Sequence, residues 1–169
     1  HGPFPGMGTG DPDVYKAFCW RFWDLTRSPG GRIGVVLPRS AFCAKGTSDF
    51  REKVFRGASV NDLTFLLNRA GWVFEDAEHR YTIGLFSAVK EAAGESGEIR
   101  IRGPFADMNR YDAGLEQEPA CFSTSEVLEW TDTAALPLLP AEDSPRVFVR
   151  LRESPRLDLN EGDTWRVRP

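Results

Sequence analysis

Arg39 and Ser40 close the run "GRIGVVLPRS", and their types and position suit them to chemistry. The apolar residues Ile33, Val35, Val36 and Leu37 form a short strand that Pro38 stops. Residues just past such a strand lie at the carboxyl end of the sheet, where open α/β sheets hold their ligands. An arginine there suits an anionic group, and a serine suits a hydrogen bond to a ligand or to backbone. The plainer alternative is a solvated turn arginine beside a turn-forming serine. Lys45 and Arg69 are further candidate phosphate contacts, although exposed Lys and Arg mostly just face water.

Other reactive-looking residues carry less. "GMGTG", residues 6–10, resembles a phosphate-cradling loop, but such loops join a strand to a helix N-terminus. Here only "HGPFP" precedes the glycines, and Asp11 and Asp13 would repel a phosphate, so the stretch reads as a flexible entry into a helix. His79 has no patterned nucleophile or carboxylate partner and makes a weak general base. Trp20, Trp23 and Trp72 invite base stacking, yet the helical spacing of the first two favours packing. Three widely spaced cysteines (Cys19, Cys43, Cys121), no CxxC pair and two histidines argue against zinc and for buried thiols in a reducing, cytoplasmic setting.

The elements that must position these residues follow from periodicity. Asp11 and Pro12 open a helix whose apolar residues Val14, Tyr15, Phe18, Cys19, Phe22 and Leu25 predict its buried face. The run from Ile33 to Leu37 reads as a strand covered on both faces. A helix through Phe50, Val54 and Phe55, capped by Thr47 or Ser48, leads to the strand "VNDLTFLLN", and "YTIGLFSAVK" is its antiparallel neighbour. The intervening helix implies a parallel crossover between the first two strands. Beyond Glu91, "IRIRGPF" predicts a strand, Ser123 with Glu126 caps a short helix, and "RVFVRLR" alternates as a half-exposed strand with its arginines on the wet side. The final "ESPRLDLNEGDTWRVRP" reads as an arm, and a boundary near residues 91–98 divides the chain into 1–92 and 93–169.

Composition sets outer bounds. The 169 residues are 41% hydrophobic and 27% charged, enough for one globular core. No apolar run approaches a membrane span and no signal-peptide pattern opens the chain. The net charge of −4 divides into +4 over residues 1–69 and −8 over residues 70–169. A nucleic-acid surface would therefore lie in the first part, and non-specific coating of DNA is disfavoured.

Taken together, "GTGDPDVYKAFCWRFWDL", "GGRIGVVLPRSAF", "FREKVF" and "NRAGWVFEDAEHRYTIGLF" resemble a stretch of the adenine-specific (N6) DNA methyltransferases of type II restriction–modification and BREX-like phage-defence systems. The likeness spans residues 8–90, about half the chain. It implies an α/β fold: the C-terminal half of a Rossmann-like methyltransferase sheet (parallel strand, crossover helix, antiparallel final strands), followed by a mixed α+β extension. The first segment would then be a partial methyltransferase domain, and the second a linker and the start of a target-recognition or accessory region. The loop carrying Arg39 and Ser40 would lie beside the target base, and with Lys45 and Arg69 these are the candidate DNA contacts.

The family's F-x-G-x-G loop for S-adenosylmethionine and its Asn-Pro-Pro-aromatic tetrapeptide, which receives a flipped adenine, are both missing from this sequence. The resemblance thus implies a fragment with no catalytic or cofactor-binding residue of its own, inactive alone. In the full-length parent both motifs would precede His1, with S-adenosylmethionine as cofactor and double-stranded DNA as partner. The missing half of the domain would be a further partner, and a severed sheet edge would favour dimerisation or swapping. The rival reading is a non-catalytic nucleic-acid-binding or interaction module; an RNA or protein methyltransferase is a weaker third.

Overall fold

The computed structural model describes residues 7–91, 97–139 and 143–154. "HGPFP", most of "EAAGESGE" and the arm beyond Ser154 lie outside the described residues. The chain divides into two compact units, His1–Leu138 and Leu139–Pro169.

The first unit runs α1 (Val14–Leu25), β1 (Gly31–Pro38), α2 (Ser40–Cys43), α3 (Ser48–Arg56), β2 (Ala58–Leu67), β3 (Thr82–Lys90), β4 (Glu98–Phe105), α4 (Met108–Leu115), β5 (Ala120–Ser123) and α5 (Thr124–Trp130). Its five strands form one mixed sheet in the order β1-β3-β2-β4-β5. β3 is antiparallel to both β1 and β2, so those two run parallel with β3 between them. β4 pairs parallel to β2, and β5 antiparallel to β4. The sheet therefore runs through the position of the sequence-based boundary at 92/93. In the second unit, α6 spans Ser144–Arg152.

One face of the sheet carries the core. Leu63, Phe65, Phe86, Ala88, Ile99 and Ile101 are buried there with Phe42, Val54, Phe55 and Val127 from the helices. The ring of Phe42 meets Phe65 at 5.9 Å and Phe86 at 5.6 Å between centroids. Position 84 must be glycine for this: a Cβ there would sit 2.5 Å from the Phe42 ring. Each buried ring of this kind contributes about 1.5–3 kcal/mol.

Several expectations hold and several fail for physical reasons. α3, β2, β3 and β4 lie where periodicity put them, and Ser123 caps α5 by accepting from the Glu126 N–H at 3.1 Å. Thr47 occupies the N-cap of α3 without a capping bond, because its hydroxyl is turned toward the Ser40 and Ala44 carbonyls and its oxygen accepts from Arg51 instead of a helix N–H. α1 begins at Val14 behind Asp13, two residues after the expected start. Its buried residues are Lys16, Cys19 and Trp23, whereas Val14, Phe18, Phe22 and Leu25 are exposed. Lys16 is held because its ammonium donates to the Thr9 and Asp11 carbonyls. β1 is an edge strand with Ile33 and Leu37 buried and Arg32, Gly34, Val36 and Pro38 exposed, not a strand covered on both faces. "RVFVRLR" is helical, with Pro145 in the first turn and Arg150 and Arg152 in the last. α4 and β5 escaped the sequence reading. Of the three thiols only Cys19 is buried; Cys43 is partly exposed and Cys121 exposed.

Arg51 ties the helical layer together. It is 1% exposed, and its donors reach the carbonyls of Ala41, Ala44, Thr133 and Ala134 and the Thr47 hydroxyl. All these acceptors are neutral oxygens, and burial pulls the guanidinium down to about 10, still charged at neutral pH. Arg51→Met strands several buried carbonyls and is expected to cost about 3–5 kcal/mol in urea or thermal unfolding, with Arg51→Lys recovering only a small part.

Burial pushes the Cys19 thiol up to about 12 from 9.0. Above pH 9 the unfolded chain ionises this thiol and the folded chain holds its proton, so stability is intact below that pH and is lost as pH rises toward 12. Alkaline unfolding curves should show this slope, and Cys19→Ala should flatten it.

Candidate nucleic-acid interface

The loops after β1 and before β3 meet at one end of the sheet. The Arg39 N–H donates to the Thr82 carbonyl at 3.0 Å, joining the two connections just past the paired strands. Between them opens a cleft of about 710 Å³ lined by Val36, Leu37, Pro38, Arg39, Ser40, Phe74, Ala77, Arg80, Tyr81, Thr82 and Ile83. It lies at the carboxyl end of β1 and beneath the loop that joins β2 to β3, at the end of the sheet where an open α/β sheet presents ligands.

Its polar residues are held from two sides. The Ser40 hydroxyl lies 3.1 Å from the Tyr15 hydroxyl of α1. Burial raises the Tyr15 phenol, and the Ser40 hydrogen bond partly opposes this. The Arg39 Nε is buried without a hydrogen-bond partner among the described residues. Arg80 stands more exposed and binds Glu78 through Nε and Nη2, both at 3.2 Å. These bonds hold the Glu78 carboxyl below its ordinary range.

Its apolar residues stand unusually open. Phe74 is 48% and Tyr81 63% exposed. Phe74 is placed by Asn68, the fully buried residue that follows β2. The Asn68 amide donates to the Phe74 carbonyl at 2.9 Å and the Ala77 carbonyl at 3.2 Å, and its oxygen accepts from the Val73 and Phe74 N–H groups. One side chain thus adds four bonds to the loop's own backbone turns, such as the Ala77 N–H to the Phe74 carbonyl at 3.3 Å, and the ring stays outside. Aromatic rings beside arginines suit a planar, negatively charged ligand such as a nucleotide.

The sequence-derived candidates are divided by the structure. Arg39 and Ser40 line the cleft, whereas Lys45, in a 3-10 turn before α3, and Arg69, in a 3-10 turn after β2, are exposed outside its lining. His79 is exposed in the loop before β3. The tryptophans pack: Trp20 against Phe50, Trp23 beneath Lys90, and Trp72 through its indole N–H to the Leu67 carbonyl at 2.7 Å. Phe74, Arg80, Tyr81 and Asn68 were missed, although a buried-pattern strand ending in Asn before a turn-rich loop was a usable signal.

Gly8, with a φ of +70°, closes onto the Gly46 carbonyl, where a Cβ would come within 1.8 Å. Among the described residues there is no group of three His, Cys, Asp or Glu able to hold a metal ion, and no helix long and apolar enough to cross a membrane.

The class this geometry defines is a mixed α/β domain with an open cleft at the carboxyl end of β1. Its fold is shared with a modification subunit of a putative type I restriction enzyme from Vibrio vulnificus YJ016: TM-score 0.54 at 14% identity, covering 86% of this chain. The chain spans 35% of the length of that protein. No protein-family model matches the chain, and no curated protein matches it significantly.

Asn68→Ala should remove four hydrogen bonds to the loop and cost about 2–4 kcal/mol. The Val73 and Phe74 amides should then exchange with solvent much faster, which hydrogen exchange would read directly.

Proposed function

We propose that this chain is part of an S-adenosylmethionine-dependent, adenine-specific DNA methyltransferase of a restriction–modification or phage-defence system, working in the cytoplasm on double-stranded DNA. The observation that carries the reading is the cleft itself. Two exposed rings, Phe74 and Tyr81, and Arg39 with a buried, unpartnered Nε line one hollow at the carboxyl end of β1. Further support comes from the fold shared with a modification subunit. The mixed sheet, with its β1–α3–β2 crossover and antiparallel β3, also supports the reading.

In this reading Arg39 pairs with a phosphate and Ser40 with a base or backbone group. Phe74 or Tyr81 offers a stacking surface, worth about 1–3 kcal/mol for a base. The described residues do not fit a methyl-donor site: no glycine loop joins a strand to a helix, and Asp11 and Asp13 stand where the described glycines meet α1. We assign donor binding and the Asn-Pro-Pro-aromatic motif to polypeptide that precedes this segment, and the segment alone is then inactive.

The full-length protein should transfer labelled methyl groups to adenines in DNA, while the isolated chain binds the donor no better than background. Micromolar donor binding by the isolated chain overturns this account, and DNA binding by the full-length protein without transfer favours a non-catalytic module. Arg39→Ala in the full-length protein should weaken DNA binding across all sequences and reduce the salt slope by about one.

A further inference from the structure

We propose that Arg80 is a second phosphate-binding arginine of the cleft, and that Glu78 is its built-in competitor, holding the guanidinium edge that a phosphate would take. The inference rests on the reading of the cleft as a DNA contact. It adds a pair of residues that sets how weakly stray phosphates are held.

The cleft is cationic and has no counter-charge in its lining. Its eleven lining residues include two arginines, Arg39 and Arg80, and no carboxylate. The two arginines sit on segments that the bond from the Arg39 N–H to the Thr82 carbonyl ties together. They differ in state. Arg39 Nε is buried without a partner among the described residues, whereas the Arg80 side chain is 87% exposed and paired with Glu78. Glu78 itself stands outside the lining, so the charge that neutralises Arg80 comes from beyond the cleft.

The form of the pair points to competition. Arg80 Nε donates to one carboxylate oxygen of Glu78 and Nη2 to the other, each at 3.2 Å. Two parallel bonds from a guanidinium edge to two oxygens are the way arginine holds carboxylates and phosphates alike. Glu78 therefore occupies donors that a phosphate would claim. A phosphate on the far edge, formed by Nη1 and Nη2, would face Glu78 across one guanidinium, two anions sharing a single cation.

The backbone keeps the two residues within reach. The Tyr81 N–H donates to the Glu78 carbonyl at 3.0 Å and closes a turn that contains Arg80. The Arg80 N–H lies 3.4 Å from the Glu78 carboxylate. The Asn68 N–H donates to the Tyr81 carbonyl at 3.0 Å, which fastens this turn to the end of β2. Exchange of Glu78 for another anion thus needs side-chain rotation alone.

Exposed ion pairs are weak, so an anion that arrives with further contacts displaces Glu78 easily. A stray phosphate brings only the one contact and gains little over the carboxylate it replaces. A DNA strand that also engages Arg39 and the open rings of Phe74 and Tyr81 brings several.

The test measures DNA binding by the full-length protein over a range of salt concentrations, alongside methyl transfer. Arg80→Ala should weaken binding and reduce the salt slope by about one. Glu78→Gln should tighten binding about two- to fivefold. Glu75→Gln removes the same charge from the same loop without touching Arg80, and at about 0.15 M salt it should change affinity less than about twofold. The gain from Glu78→Gln should vanish in the Arg80→Ala background. An unchanged or weaker complex with Glu78→Gln overturns the competitor, as does an equal gain from Glu75→Gln. An unaltered slope with Arg80→Ala overturns the phosphate contact. Where these negative results come from a protein that still methylates adenines, this inference falls alone. Coupled effects of Arg80 and Glu78 in a protein that binds DNA but transfers no methyl group support it and remove the methyltransferase reading. A full-length protein without affinity for DNA overturns both.

Discussion

One buried guanidinium holds the cleft end of this sheet in place. Arg51 reaches from α3 to α2, to the turn after it and to the segment following α5, donating to carbonyls at the ends and turns of all three. Helix ends and tight turns leave such oxygens without intrachain partners, and burying them unbonded is costly. Because α2 begins at Ser40, the same side chain fixes the connection that carries Arg39 and Ser40 off the end of β1. A charge with five separate acceptor groups and no carboxylate among them secures geometry where a hydrophobic residue would supply only volume.

Asn68 does for the opposite lip what Arg51 does for the first. Both are almost fully buried polar side chains that bond to backbone at turns and element ends, and both leave apolar or charged neighbours outside. The exposed rings of Phe74 and Tyr81 follow from this. The loop needs no ring in the core to hold its shape, since its amide and carbonyl groups are bonded to Asn68 and to the end of β2. The cleft is a product of polar scaffolding around open aromatic surface, set at the carboxyl end of β1.

How much of this was legible in the sequence depended on whether the deciding force was local. α3, β2, β3 and the Ser123 cap were readable because periodicity and capping act within a few residues. The face of α1 was not. Its apolar spacing pointed to Phe18 and Phe22, but Lys16 and Trp23 are the residues that find partners, and those partners lie at Thr9 and Lys90. Whether β1 is an edge or an interior strand is a property of topology, and a run of Val and Ile reads alike in both. α4 and β5 are short, and "RVFVRLR" alternates like a strand while Pro145 and the terminal arginines favour a helix. In the site, Arg39 and Ser40 were found from their place after a strand. Phe74 and Tyr81 belong to a loop whose path only Asn68 reveals.

The insertion of β3 between β1 and β2 has a consequence for biosynthesis. As the nascent chain emerges, β1 appears first and β2 next, yet neither is the other's neighbour. Both wait for residues 82–90, so the sheet closes only after the hairpin partner is translated. Until then β1 has no partner in the sheet. Non-local pairing of this kind is slow and leaves sticky backbone exposed, so the half-built sheet stays vulnerable until residues 82–90 arrive to join its two parallel strands.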